Sequence, residues 1–125
     1  MLGNINAVPS IAVKDLKAAR AFYEDLLGLR AERTGSDEMV LLRSGDARIN
    51  LYHSDFAGTN QATALTWAVG ASLEQIVQEL ASKGVTFEHY NMPGLELKGD
   101  VHEAGGMKMA WFKDPDGNIL NLINS

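Results

Sequence analysis

The sequence contains no cysteine among its 125 residues. Disulfide bonds, thiolate metal sites and cysteine nucleophiles are therefore excluded. Long apolar runs are missing as well, because no stretch approaches the roughly 18 apolar residues of a membrane span. The N-terminus also lacks the basic and apolar regions of a targeting segment. We therefore expect a cytoplasmic protein that has no membrane partner.

Positive charge is scarce too, since 11 basic residues stand against 16 acidic ones and give a net charge of −5. This balance disfavours an interface with nucleic acid or with an anionic membrane. Hydrophobic residues make up 46% of the chain and charged residues 22%, which is ordinary for a globular protein. A chain of this length fits one domain with its own core.

The C-terminal stretch, residues 110–125, has the pattern of a hairpin. Its turn signal is Asp-Pro-Asp-Gly-Asn at residues 114–118, where proline presets φ, glycine accepts φ > 0 and the aspartates can accept bonds from backbone N–H groups. Apolar runs flank the turn at residues 107–112 and 119–123. Alternation along the second run places Asn121 alone on an otherwise apolar strand face.

The order of predicted elements occurs twice along the chain. A helix capped by Asp15 and ended by Gly28 has its counterpart in a helix that a Ser72-x-x-Gln75 capping box opens and Gly84 ends. The predicted strands are residues 5–13, with an edge or bulge at Pro9, 30–34, 38–43 and 47–53, then 63–69, 85–90, 107–112 and 119–123. Residues 91–106 predict a loop or lid. The sequence thus predicts two βαβββ modules.

We predict a single α+β domain over residues 1–125, with module one at 1–56, a polar linker at 55–62 and module two at 63–125. One helix covers only one face of each four-stranded sheet. The two open faces should therefore meet in a curved, partly closed, eight-stranded mixed sheet around a cavity, with the helices outside.

Residues 22–29, FYEDLLGL, together with the C-terminal hairpin resemble the vicinal oxygen chelate superfamily, which includes glyoxalase I, bleomycin-resistance proteins and extradiol dioxygenases. The resemblance covers nearly the whole chain and implies the two-module architecture and a homodimer. It also implies metal ligands, often His or Gln in the first strand of each module and often Glu in the last strand. These positions fall here on Val8, on Ala64 or Leu65, on Asn50 and on Asn121.

Aliphatic side chains and neutral amides do not supply the imidazole, carboxylate or thiolate donors that a divalent cation prefers. We therefore predict no metal site and no other cofactor. Asn50 and Asn121 have two interpretations that stay open. They contact a ligand, or they pair with each other or with the backbone.

None of the three histidines, His53, His89 and His102, has the spacing of a metal-ligand pair. His102 and Glu103 nevertheless lie in a glycine-flanked segment expected over the cavity mouth, where an imidazole could move protons. Both residues are therefore the candidates for catalysis. Neighbours in an extended segment point to opposite sides, so the pair should not both face a ligand.

Alternation along the strands also predicts the cavity lining, because Arg48 and Tyr52 face inward if Asn50 does. The resemblance to glyoxalase I places Trp111 inward, and Met109 with it. The predicted ligand-binding residues are Arg48, Asn50, Tyr52, Thr66, Met109, Trp111 and Asn121. Core packing is an equal alternative for Tyr52, Met109 and Trp111, and a surface ion pair is the alternative for Arg48.

We therefore predict a metal-independent small-molecule-binding protein of the glyoxalase and bleomycin-resistance type, which holds an apolar or aromatic ligand in the cavity. A second hypothesis is a glyoxalase-like lyase or isomerase, rather than a metal-dependent dioxygenase, that uses acid/base residues or a metal held by unexpected ligands. A third is a protein whose cavity is filled by its own side chains and whose role is dimerisation.

Overall fold

The structure, a computed structural model, describes residues 1–125 apart from the side chains of residues 33–36. The chain forms two compact units, residues 1–59 and residues 60–125. The boundary between them falls in the polar stretch 55–62. No helix in the part of the chain that the structure describes is long and apolar enough to cross a membrane.

Unit one is a four-stranded sheet with one helical segment. Its elements are β1 (Ser10–Val13), α1 (Leu16–Arg20), a π-helical continuation of α1 (Ala21–Leu26), β2 (Arg30–Ser36), β3 (Met39–Ser44) and β4 (Ala47–His53), after a short 3₁₀ turn (Leu2–Asn4). The strand order is β1-β4-β3-β2, in which β1 is parallel to β4 and the other pairs are antiparallel.

Unit two repeats this plan with a larger sheet. Its elements are β5 (Thr63–Ala68), a 3₁₀ turn (Gly70–Ser72), α2 (Leu73–Ser82), β6 (Phe87–Glu88), β7 (Glu96–Lys98), β8 (Val101–Ala104), β9 (Met107–Lys113) and β10 (Ile119–Ile123). The strand order is β5-β10-β9-β8-β7, and β6 also pairs with β9. The β5 and β10 strands are parallel, as β1 and β4 are in unit one.

The α+β class and the duplicated strand-helix-strand plan predicted from the sequence are confirmed. The described backbone has ten strands, however, where eight were predicted. The two additional strands are β7 and β8, which form a hairpin inside the segment predicted as a loop or lid. Gly99 has a φ of +63° at the turn, a conformation that glycine adopts at little cost.

Two predicted strands are shorter than expected. Pro9 has no N–H to donate, and β1 begins only at Ser10, although the Pro9 carbonyl still accepts the Asn50 N–H at 2.9 Å. The strand predicted at 85–90 is reduced to β6, Phe87–Glu88. The first hairpin turn also lies later than the gap between the predicted strands 30–34 and 38–43, since it occupies residues 37–38.

On the helical side of its unit, each sheet buries a face of aliphatic and aromatic side chains. The buried set is Ile11, Val13, Ala19, Tyr23, Val40, Leu42, Ile49 and Leu51 in unit one, and Leu73, Val77, Leu80, Ala110, Phe112, Leu120 and Leu122 in unit two. Burial of this apolar area is the main source of stability. In unit two the opposite face is buried as well, at His102, Trp111, Ile119 and Asn121.

The two helix starts differ in a way that a pair of variants can test. The Asp15 carboxylate accepts the N–H groups of Lys17 and Ala18 at 3.0 and 3.3 Å. Ser72 makes no side-chain capping bond, because it belongs to a 3₁₀ turn instead of the extended conformation that an N-cap needs. We expect Asp15→Ala to lower the free energy of unfolding by about 1 kcal/mol in urea denaturation. Ser72→Ala should lower the free energy of unfolding by much less. Equal losses for the two variants would contradict the conclusion that Asp15 caps its helix and Ser72 does not.

Candidate functional site

One face of the unit-two sheet collects all four predicted ligand-binding residues of that unit. Lys108 contacts Glu74 of α2 at 3.2 Å, so the alternating residues 109 and 111 lie on the side away from the helix. In register, Asn121 lies opposite Trp111 on one side and Thr66 on the other. We call this surface the Trp111 face. Its residues are Thr63, Thr66, Glu88, His102, Met109, Trp111, Asn121 and Ile123.

Hydrogen bonds fix two of these side chains. The Asn121 amide nitrogen donates to Thr66 Oγ1 at 3.2 Å, and Trp111 Nε1 donates to Thr63 Oγ1 at 3.2 Å. Both acceptors belong to β5, which lies beyond β10 from Trp111. The indole and the amide therefore both lean along the sheet towards β5, and the indole is held in one orientation.

Three aromatic rings meet at the other end of the Trp111 face. The His102 ring centroid lies 5.0 Å from that of Trp111 with an interplanar angle of 80°, and the Tyr90 ring lies 5.4 Å from Trp111 at 64°. Tyr90 and His102 are 6.1 Å apart. Edge-to-face contacts of this kind favour defined ring positions. The three rings consequently hold one another in defined positions.

Polar atoms without a partner lie on the same face. Among the described residues, His102 Nδ1, the Tyr90 hydroxyl and Asn121 Oδ1 are buried and have no hydrogen-bond partner. His102 is fully buried and Asn121 is 8% exposed. Native proteins usually satisfy such groups, because burying them unpaired costs free energy. The Trp111 face thus retains hydrogen-bonding capacity that its own side chains do not use.

Tyr90 is a donor at neutral pH. Burial raises the pKa of its phenol above the ordinary value of 10.0, and the charge of Glu88 raises that pKa further, whereas Lys113 lowers it. The hydroxyl therefore stays protonated and can donate a hydrogen bond to an acceptor.

Only one member of the His102-Glu103 pair lies on the Trp111 face. Glu103 points to the helix side of the sheet, where its carboxylate meets Lys98 at 2.8 Å and Lys108 at 3.6 Å. The hydrogen bond from Lys98 is the main cause that lowers the pKa of Glu103. The structure therefore keeps Glu103 as a carboxylate between two lysines.

In unit one, Arg48, Asn50 and Tyr52 share the face of β4 that lies away from its buried residues. Arg48 is exposed and donates to both carboxylate oxygens of Glu32, at 2.8 and 2.9 Å. This is the surface ion pair that was the alternative to ligand binding for Arg48. Asn50 Oδ1 is buried and lacks a partner among the described residues. Tyr52 is 38% exposed.

The side chains at the four expected metal-ligand positions do not fit a divalent cation. Val8 is aliphatic and 45% exposed, and neither Ala64 nor Leu65 has a donor atom. Asn50 and Asn121 contribute one neutral amide oxygen each, which falls short of the donors that zinc, nickel or iron prefer. Nor do the residues that the structure describes form any group of three or more His, Asp or Glu side chains able to hold a metal ion.

Sequence reasoning missed Tyr90 and Thr63. Tyr90 comes two residues after Glu88, which pairs with Trp111, so alternation from that pair places it beside the indole. That inference needs the register between β6 and β9, which depends on tertiary packing. Thr63 was predicted as the start of a strand, but nothing in the sequence marks its hydroxyl as the acceptor for Trp111.

Comparison with known proteins identifies the fold. Residues 4–122 match the sequence profile of the Glyoxalase/Bleomycin resistance protein/Dioxygenase superfamily. A glyoxalase family protein from Enterococcus faecalis has a TM-score of 0.74 at 21% identity, over 98% of this chain and 99% of that one. The bleomycin-binding protein complexed with bleomycin has a TM-score of 0.71 at 21% identity, over 96% and 98%. The fosfomycin resistance protein FosX from Listeria monocytogenes has a TM-score of 0.71 at 14% identity, over 100% and 93%.

Proposed function

Because this chain belongs to the Glyoxalase/Bleomycin resistance protein/Dioxygenase superfamily, we propose that it binds a small aromatic or apolar molecule on the Trp111 face without a metal ion. The observation that supports this proposal is the position of buried, unpartnered polar atoms around an oriented indole. A ligand site typically combines an apolar surface with a few fixed polar groups. The Trp111 face has both.

The apolar part of the proposed site consists of Met109, Trp111 and Ile123, which lie on one face of adjacent strands. An aromatic ring packed against the indole would gain both area burial and ring contact. The polar part is the cluster of Tyr90 and His102 at one end and Asn121 at the other. A ligand on this surface is therefore both buried and oriented.

One relative supports binding as the function, because one of the similar structures is a bleomycin-binding protein with bleomycin bound. The metal-independent part of the proposal comes from the donor chemistry of this chain, since aliphatic residues and amides occupy the expected ligand positions. Dialysis of the purified protein against nickel, zinc, manganese and iron should leave no stoichiometric metal, and a bound equivalent would contradict the proposal.

Fluorescence separates binding at Trp111 from binding elsewhere. The protein has two tryptophans, and Trp67 lies on the helix side of β5, opposite Leu122 in register. A thermal-shift screen with aromatic metabolites supplies the ligands, which should stabilise the protein by about 2.7 kcal/mol at a hundred times the dissociation constant. We expect such a ligand to quench the fluorescence of Trp67→Phe, which retains Trp111, and to leave that of Trp111→Phe nearly unchanged. Equal quenching of the two variants would place the ligand elsewhere.

The remaining sequence predictions stay predictions. These are the homodimer, the cytoplasmic location, the cavity between the modules and the lyase or isomerase alternative. Loss of turnover in a His102→Ala variant, once any activity is found, would support the enzymatic alternative.

A further inference from the structure

The hydrogen bond between the Tyr90 backbone and His102 determines which ring nitrogen of His102 carries a proton. The Tyr90 N–H donates to His102 Nε2 at 2.9 Å. A backbone N–H can only donate, so Nε2 must be an unprotonated acceptor. A neutral imidazole has its single proton on the other nitrogen. His102 is therefore the Nδ1–H tautomer, and Nδ1 is a donor.

This donor has no acceptor within the described part of the chain. His102 Nδ1 is buried and unpartnered, and the whole residue is 0% exposed. The ring is flanked by Trp111 and Tyr90. Neither side chain accepts a hydrogen bond from Nδ1, because the Tyr90 hydroxyl is itself without a partner and the Trp111 indole has only a donor. Burying an unpaired donor costs free energy, so a ligand that supplies the acceptor stabilises the complex.

The lysines near this region are already engaged. Lys113 contacts Glu88 at 3.3 Å, and Lys98 and Lys108 both contact Glu103. A ligand carboxylate would therefore meet neutral donors only, and it would be buried without a compensating cation. A neutral oxygen acceptor avoids this cost.

We propose that His102 is a specificity-determining residue, whose Nδ1–H selects aromatic ligands that have a neutral carbonyl oxygen at the edge of the ring system. This inference rests on the proposed function, because it names the ligand class of the same site. The Tyr90 hydroxyl is a second donor beside it. Asn121 Oδ1 offers an acceptor for a ligand donor at the far side of the indole.

The same hydrogen bond argues against proton transfer by His102. A general base needs a free lone pair near the substrate, but the lone pair of Nε2 already accepts the Tyr90 N–H and Nδ1 holds a proton. Moving the proton from Nδ1 to Nε2 would place two N–H donors against each other. In this proposal His102 therefore acts as a hydrogen-bond donor to the ligand.

The test uses two probes of the same shape, indanone and indane, which differ by one carbonyl oxygen. Calorimetric titration of the full-length protein should give about tenfold tighter binding of indanone, since one good hydrogen bond to a buried donor is worth about a factor of ten. In His102→Phe the two affinities should become equal. His102→Gln, whose amide can accept from Tyr90 and donate to a ligand, should retain part of the preference. His89→Phe is the matched control, because His89 is half exposed and pairs with Asp100, and it should retain the full ratio.

NMR of the wild-type ring nitrogens provides a readout that needs no variant. The spectrum should show His102 with a protonated Nδ1 and an unprotonated Nε2, and indanone but not indane should shift the Nδ1 signal. A proton on Nε2, or an indanone preference that survives in His102→Phe, would overturn this inference. Equal binding of both probes by the wild type would overturn it as well, while the proposed function would stand. If neither probe binds, the proposed function itself fails, even where the tautomer is as expected.

Discussion

Replacement of Asn121 by glutamate is expected to lower the free energy of unfolding by about 3 kcal/mol at neutral pH. Asn121 is only 8% exposed, and its register neighbours Thr66 and Trp111 are uncharged. An added carboxylate would therefore be a buried charge without a cation beside it, which is costly. The substitution introduces the residue type that the family resemblance implied for a metal ligand at this position, so the loss in stability would measure how poorly its present surroundings accept a carboxylate.

The matched control is Asn121→Leu. It removes the bond to Thr66 but also removes the unpartnered Oδ1, so we expect a change below about 1 kcal/mol. Urea denaturation of both variants, with and without nickel, zinc or manganese, makes the comparison. If added metal fully restored the stability of the Asn121→Glu variant, the surrounding residues would be able to complete a metal coordination sphere. That result would contradict our conclusion that their donor atoms do not fit a divalent cation.

Asp114→Ala is expected to cost about 3 kcal/mol of stability, because one buried carboxylate holds the β9–β10 turn together. Asp114 is 5% exposed. Its Oδ1 accepts the N–H groups of Asp116 and Asn118, each at 2.9 Å, and its Oδ2 accepts the Asn118 amide at 2.8 Å. Alanine would leave these donors without the charged acceptor, and hydrogen bonds to charged groups are among the stronger ones.

Asp46 is a suitable control, since it occupies the corresponding β3–β4 turn of unit one. Its carboxylate is fully exposed and lies 3.7 Å from Arg43, so Asp46→Ala should change stability by less than about 0.5 kcal/mol. Denaturation curves for the two alanine variants give the difference directly. Similar losses would mean that the side chain of Asp114 is no more important than an exposed turn aspartate.

The parts of the fold that sequence predicted well depend on local chemistry. Asp15 caps α1 as its spacing indicated, and Gly28 ends the segment with a φ of +83°. The hairpin at residues 114–118 follows from proline, glycine and aspartate in fixed positions. Each of these predictions needs only residues that are near in sequence.

Predictions that needed distant contacts were less complete. The β7–β8 hairpin lies in a glycine-containing stretch that reads as a loop, and its pairing is evident only when β8 lies beside β9. Ser72 has the right residue type for a cap, but the 3₁₀ turn before α2 prevents it from acting as one. The contact of Tyr90 with His102 and Trp111 likewise depends on register across β6, β8 and β9.

The position of His102 on β8 places the proposed ligand donor outside the two inner strands of the unit-two sheet. Trp111 and Asn121 lie on the two inner strands β9 and β10, whereas β8 is bordered on its outer side by the three exposed residues of β7. Replacing the β7–β8 hairpin by a hairpin of another sequence would exchange the His102 donor for another group and leave the sequence of β9 and β10 unchanged. If His102 selects the ligand as proposed, the ligand preference of this architecture can change through the sequence of one hairpin while β9 and β10 stay the same.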